Sequence, residues 1–204
     1  IARFPMSPSL PFSSSLLSPW VYFAAPRSQR LPAETGASVT YRPIDVLRVF
    51  RETAGAPLGQ LHPSRQAYRA RERERWAELL DMPVSAKPRF HPADESLAAR
   101  MVIALGAQDH TAVWPLAQAI LAAVWVRDLD IADPANLVRL AAEQGLDGEA
   151  LLASAREPAM LDAFNANTDA ALAAGVFGVP SFVVGGDLFF GQDRLDFVER
   201  ALRA

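Results

Sequence analysis

The chain has 204 residues, 50% of them hydrophobic and 21% charged, which is enough apolar material for one sizeable core or for one domain carrying a large insertion. Its formal net charge of −3, with no basic block free of interleaved acids, argues against a nucleic-acid partner, and it contains no apolar stretch of the roughly 18 residues needed to span a membrane. The lack of cysteine excludes disulfides, thiolate metal sites and a cysteine nucleophile, while His62, His91 and His110 are isolated and offer no metal-ligand spacing.

Residues 1–9, with Pro5, Pro8 and several serines, read as a tail ahead of the fold. The apolar run 16–25 has some look of a secretory signal, but serines and prolines interrupt it, so a cytoplasmic protein is expected. Residues 10–17 are expected as a first strand, weakened in propensity by Ser13, Ser14 and Ser15. Ser18-Pro19 then reads as a helix start, because serine is a good N-cap and proline suits the first helical position. That helix is expected to run toward Thr35 and stop at Gly36, with a kink or break caused by Pro26 and Pro32. Residues 39–44 alternate as a second strand.

The middle of the chain is helical. Residues 65–80 form a charged helix in which Tyr68, Glu72, Trp76 and Leu80 share one face, and an acid on such a face is more often hydrogen-bonded or peripheral than functional. Further helices are expected over 93–105 and 111–126, joined by Gly106 and a short polar turn. Asp133-Pro134 opens a helix that Gly145 closes, Asp147 opens a short one, and Glu157-Pro158 begins a long one ending at Gly175. Trp114, Trp125 and the leucines at helical spacing are expected in the core. Residues 181–184 read as a strand, Gly185-Gly186-Asp187 as a tight turn and residues 188–190 as the returning strand. Asp193 is expected to cap the last helix, with Asp196 adding negative charge to the same end.

Val179-Pro180 stands just before that strand, where a trans proline marks merely an edge or a first residue. A cis bond there would instead turn the Val179 N–H and C=O outward as an edge for an extended peptide. The C-terminal run GVFGVPSFVVGGDLFFGQDRLDFVERAL at 175–202 and the segment FNANTDAALAAGVFGVPSF at 164–182 resemble the 2-hydroxychromene-2-carboxylate isomerase family, as do Ser18-Pro19-Trp20 and TYRPIDVLRVF at 40–50. That family is related to kappa-class glutathione transferases and bacterial disulfide oxidoreductases. The resemblance covers residue 10 to the C-terminus and implies that the Val179-Pro180 bond is cis. It also implies an α/β fold in which a thioredoxin-like domain (10–45 and 176–204) is split by an all-α insertion at 46–175.

By the same resemblance the protein is a glutathione-dependent isomerase of aromatic catabolism, acting on 2-hydroxychromene-2-carboxylate or a related small aromatic acid. Ser18 holds the place of the first cysteine in the disulfide oxidoreductases and would be the catalytic group. Val179 and Pro180 would pair with the cysteinyl backbone of glutathione, while Phe190, Gly191, Gln192 and Asp193 would bind its γ-glutamyl end. Trp20 and Phe90 would wall the aromatic substrate, although core packing explains them as well. The family commonly has a lysine at the position of Phe50, a Gly-Asn step near Gly55-Ala56 and an aspartate at Glu72. Phe50 and Ala56 lack those polar groups, which leaves Arg48 and Arg65 as the basic residues expected to take the substrate carboxylate. A homodimer is expected by resemblance. A kappa-like glutathione transferase and a non-catalytic binding protein of the same fold are the alternatives.

Overall fold

The computed structural model describes residues 9–204; of the tail expected over 1–9, residues 1–8 lie outside the described residues, and Ser9 already belongs to the first strand. The N-terminal part comprises β1 (Ser9–Ser14), α1 (Pro19–Ser28), α2 (Leu31–Thr35) and β2 (Ser38–Pro43). A helical stretch follows, made of α3 (Val46–Glu52), α4 (Pro63–Leu80), α5 (Ser96–Gln108), α6 (Val113–Trp125), α7 (Pro134–Glu143), α8 (Gly148–Ala155) and α9 (Pro158–Ala173). The chain then returns as β3 (Ser181–Val184) and β4 (Asp187–Phe190), and a 3-10 turn over Gln192–Arg194 leads into α10 (Leu195–Leu202). This is a thioredoxin-like α/β fold split by a helical insertion.

The sheet order is β2-β1-β3-β4, with β1 parallel to β2 and antiparallel to β3. β1 is therefore a central strand despite its serines. Leu10 and Phe12 are fully buried, and the Phe12 ring lies against Tyr41 at 5.1 Å, Trp114 at 5.3 Å and Phe182 at 5.1 Å. Burying a side chain of that size contributes about 1.5–3 kcal/mol, more than the strand propensity lost at a few serines. The serines are buried as well, with Ser13, Ser14 and Ser15 at the C-terminal end of the strand where the sheet meets the α1 N-terminus.

Local chemistry sets several of the helix ends. Ser18 caps α1 by accepting from Val21 N, and Asp45, Asp133 and Asp147 cap α3, α7 and α8 in the same way. The first helix breaks after Ser28, and α2 ends at Gly36, whose φ of 72° suits a residue without Cβ. Gly185 and Gly186, both at positive φ, make the β3–β4 turn. Val179-Pro180 is cis. Trp114 and Trp125 are in the core.

Five expectations are corrected. Gly106 lies inside α5, which starts at Ser96 instead of residue 93 because Asp94 accepts from Ser96 N at 2.8 Å. On α4, Tyr68 is 61% exposed, so of the four residues expected to share a face Trp76 and Leu80 pack against the core, while Glu72 is hydrogen-bonded to Arg75 at 2.8 Å as expected of an acid there. Asp193 does not cap α10; its carboxylate pairs instead with Arg194 at 2.6 Å, and among the described residues α10 begins with no side-chain cap. Residue 9, read as tail, is the first residue of β1.

Candidate active site

The register of three strands brings distant segments to one end of the sheet. Ser14 pairs with Pro43 in β2, Ser13 with Ser181 in β3, and Ser181 with Phe190 in β4. Whatever follows Ser14, precedes Ser181 or follows Phe190 must therefore share that end. These segments are 15–18 with Ser18 at the α1 N-terminus, 178–180 with Val179 and Pro180, and 190–193.

Ser18 is half-buried, and its Oγ accepts from Val21 N at 3.3 Å. Among the described residues its own O–H donates to nothing, so a donor is left facing the helix N-terminus, where the macrodipole favours negative charge. Val179 complements it. Neither the Val179 N–H nor its C=O makes a hydrogen bond among the described residues, whereas the neighbouring Pro180 carbonyl is taken by Gly191 N at 2.9 Å. The Phe190 ring, 43% exposed, lies tilted against Phe177 at 4.7 Å, and a Cβ on Gly178 would come within 2.8 Å of it. Gly191, at φ 105°, sits under the Asp193 carboxylate, which a Cβ would meet at 2.5 Å. The Gln192 side chain is withdrawn from this surface: it is buried, and Arg27 donates to its Oε1 and, at 2.8 Å, to its backbone carbonyl.

Behind Ser18 the loop 15–17 is held by a residue about 80 positions away. Ser15 Oγ donates to Glu95 Oε1 at 2.7 Å and Leu16 N donates to Glu95 Oε2 at 2.5 Å, while Ser18 N donates to Ser15 O at 3.1 Å. Burial pushes the Glu95 carboxyl up to about 7, against the lowering effect of the Ser15 hydroxyl and the Leu16 and Leu17 N–H groups. Because its carboxyl serves this loop, Glu95 makes no cap bond to its own helix α5. The carbonyl of Leu17 accepts from Trp125 Nε1 at 3.2 Å, and His91 packs on the same indole at 4.9 Å.

Of the two basic residues expected to take the substrate carboxylate, one is already paired. Arg48 is committed to Glu52 and Asp169, both at 2.7 Å, so it has no free face for a carboxylate. Arg65 is exposed at the start of α4. Phe90, 36% exposed, lies under the Arg89 guanidinium at 5.0 Å, whereas Trp20 carries Arg69 at 5.5 Å. Arg73 is buried over Trp125 at 5.2 Å and donates to Ala86 O at 2.6 Å. Reading the sequence for apolar periodicity passed over Arg69 and Arg73, although Arg65, Arg69 and Arg73 recur at i, i+4; Glu95 carried no local signal at all. An open cavity of about 400 Å³ between Tyr22, Met82, Pro115 and Gln144 lies away from Ser18, and with the Tyr22 hydroxyl spent on Pro83 O it holds no comparable chemistry.

The family model of the DSBA-like thioredoxin domain matches residues 9–203. A 2-hydroxychromene-2-carboxylate isomerase of Pseudomonas sp. strain C18 is 30% identical over 201 residues, spanning 94% of this chain and 88% of that protein. The chain belongs to the 2-hydroxychromene-2-carboxylate isomerase family. The enzyme of that name from Sphingobium xenophagum is 29% identical over 199 residues, 97% of this chain and 99% of that one. A solved 2-hydroxychromene-2-carboxylate isomerase superposes with a TM-score of 0.79 at 25% identity, covering 95% of this chain and 94% of the other. As a member of this family, which sits within the DsbA-like thioredoxin proteins, the protein is an isomerase. No helix among the described residues is long and apolar enough to cross a membrane.

Proposed function

We propose that the protein interconverts 2-hydroxychromene-2-carboxylate, or a related acid of aromatic catabolism, and its trans-o-hydroxybenzylidenepyruvate isomer, with glutathione as cofactor and Ser18 as the catalytic hydroxyl. The observation that carries this reading is a Ser18 hydroxyl at a helix N-terminus that donates to nothing among the described residues, at the same sheet end as a Val179 N–H and C=O that are unpaired among them. Those residues fit a small thiol peptide: the Val179 backbone would pair with an extended chain, and residues 190–193 would hold its γ-glutamyl end. When bound, glutathione would supply the nucleophilic thiolate for cis–trans isomerisation of the ring-opened enone, and would be regenerated at the end of the cycle.

The chain's own part is to keep that sulfur ionised and to let it go. A thiol with a pKa near 8.5 is only about 3% thiolate at pH 7, and bringing it to about 7 needs roughly 2 kcal/mol of preferential stabilisation. A hydroxyl donating to a charged acceptor contributes about 1.5–3 kcal/mol and a helix N-terminus about 0.3–1 kcal/mol, so the Ser18 donor outweighs the helix dipole and is nearly sufficient by itself. The Glu95 clamp on residues 15 and 16 holds the loop from which that donor is presented. Without cysteine the chain has no thiol to compete with the cofactor's.

The test is an absorbance assay of chromene isomerisation with and without added glutathione, coupled to titration of free thiol. Turnover is expected to require glutathione and to leave its concentration unchanged over many cycles. Isomerisation at the same rate without it would end the reading, and stoichiometric loss of thiol would make the protein a kappa-like transferase. The same reading carries a homodimer working in the cytoplasm, for which sedimentation equilibrium of the purified chain is the measure of assembly.

A further inference from the structure

Five arginines crowd α4, at positions 65, 69, 71, 73 and 75, and the helix sorts them into two sets. Arg71 pairs with Glu74 at 2.8 Å and Glu78 at 3.6 Å, and Arg75 pairs with Glu72 at 2.8 Å. Arg65, Arg69 and Arg73 fall on a different face, because i, i+4 neighbours stay within about 40° of one another while Arg71 is turned about 200° from Arg69. Among the described residues no carboxylate comes within ion-pair reach of these three, and Glu74, whose charge reaches Arg73, is itself held by Arg71. Like charges at this spacing repel, so the stripe is mildly destabilising unless an anion joins it.

The stripe also points at the candidate active site. The Arg69 guanidinium lies 5.5 Å from the Trp20 ring, and Arg73 lies 5.2 Å from the ring of Trp125, whose Nε1 donates to Leu17 O. Leu17 and Trp20 stand on either side of Ser18-Pro19. Two of the three arginines are thus seated on indoles that flank the proposed catalytic hydroxyl. Although Arg69 is exposed overall, partial desolvation and after it the positive charges of Arg65 and Arg73 lower its guanidinium from its ordinary range. The α4 helix packs on α1, on a different element from β3, β4 and the 190–193 segment assigned to glutathione.

We infer that Arg69, seated on Trp20 with Arg65 and Arg73 beside it along the helix, is the subsite for the carboxylate of the aromatic acid substrate. It supplies the cation that Arg48, tied to Glu52 and Asp169, does not offer. Planar guanidinium takes a carboxylate in bidentate fashion, and the indole face offers the substrate ring an apolar wall next to that contact. The assignment rests on the isomerase reading for the identity of the acid, but not for the presence of the anion subsite.

Glutathione also carries carboxylates, so the experiment separates the two sources. Calorimetric titrations of trans-cinnamate, its neutral isostere cinnamamide and glutathione are made into wild type, Arg69→Gln, Arg69→Lys and Arg71→Gln, and each protein is assayed on 2-hydroxychromene-2-carboxylate. Wild type is expected to prefer cinnamate over cinnamamide by about tenfold or more, and Arg69→Gln to lose that preference while binding glutathione as before. The same variant should raise KM for the chromene acid about tenfold to a hundredfold with little change in kcat, Arg69→Lys should restore part of it, and Arg71→Gln should match wild type. A preference for cinnamate that survives Arg69→Gln, a loss of glutathione affinity in place of cinnamate affinity, or an equal effect from Arg71→Gln would each overturn the assignment. If cinnamate binds through Arg69 but the chromene acid is not turned over, the proposed chromene substrate fails and the subsite stands. Turnover with an unchanged KM in Arg69→Gln has the opposite meaning.

Discussion

Replacing Glu95 with glutamine removes one titrating carboxyl while keeping its shape. In the folded protein the Glu95 oxygens accept from Ser15 Oγ and Leu16 N, and burial raises the carboxyl from the ordinary 4.5 to about 7. The folded state therefore holds a proton more tightly than the unfolded chain, and the sign of the linkage follows. The contribution to stability is complete below about pH 4.5, falls as pH rises, and is lost once pH passes about 7. At about 1.36 kcal/mol for each tenfold change in proton affinity, the fall amounts to about 3 kcal/mol across that window. Glutamine cannot titrate, yet its carbonyl still accepts from Leu16 N and its amide donates to Ser15 Oγ, which can turn to accept. Tyr41 and Asp45 are the other titratable groups whose charges couple to this site. Burial raises the Tyr41 phenol well above its ordinary range, so it stays neutral throughout, and Asp45 is present in both proteins. Urea unfolding followed by tryptophan fluorescence from pH 4.5 to 8 measures both stabilities. Wild type minus Glu95→Gln should decline by about 3 kcal/mol toward high pH, with the variant equal or better above pH 7. Parallel profiles would refute the reasoning, since they would mean that the carboxyl titrates alike in both states.

Ser18→Ala should leave a folded protein, costing about 1 kcal/mol for the lost cap, and lower turnover by about one to three orders of magnitude; a folded variant with wild-type turnover would remove Ser18 from catalysis. Gly178→Ala places a methyl 2.8 Å from the Phe190 ring and should displace it, weakening glutathione binding severalfold in calorimetry while far-UV circular dichroism stays unchanged. Asp193→Ala should weaken glutathione binding about tenfold, the lower end for a charge-assisted contact, because the carboxylate also serves Arg194. Equal affinities would take Asp193 out of the γ-glutamyl site.

What the sequence determined by itself lies within a few residues of each signal. Ser18, Asp133 and Asp147 mark helix starts because a cap bonds N–H groups two or three positions on, and Gly185-Gly186 marks the hairpin because the turn needs positive φ at both residues. The weak first strand, the uncapped start of α10 and the partners of the charged side chains were not legible in this way. Strand β1 is held by pairing on both sides and by three aromatic neighbours from β2, α6 and β3, which outweigh its serines. Asp193 has the composition of a cap but is drawn to Arg194, and Arg48 has the charge to meet a substrate but is neutralised by Glu52 and Asp169. Spacing along the chain says which charges exist, and only packing says which of them are already spent. The candidate site is of the same kind: Ser18, Val179 and residues 190–193 meet because Ser13 pairs with Ser181 and Ser181 with Phe190. Glu95 reaches Ser15 across about 80 residues because α5 packs against the sheet through β2, a contact set by the burial of apolar surface, which is non-directional and leaves no mark at either residue.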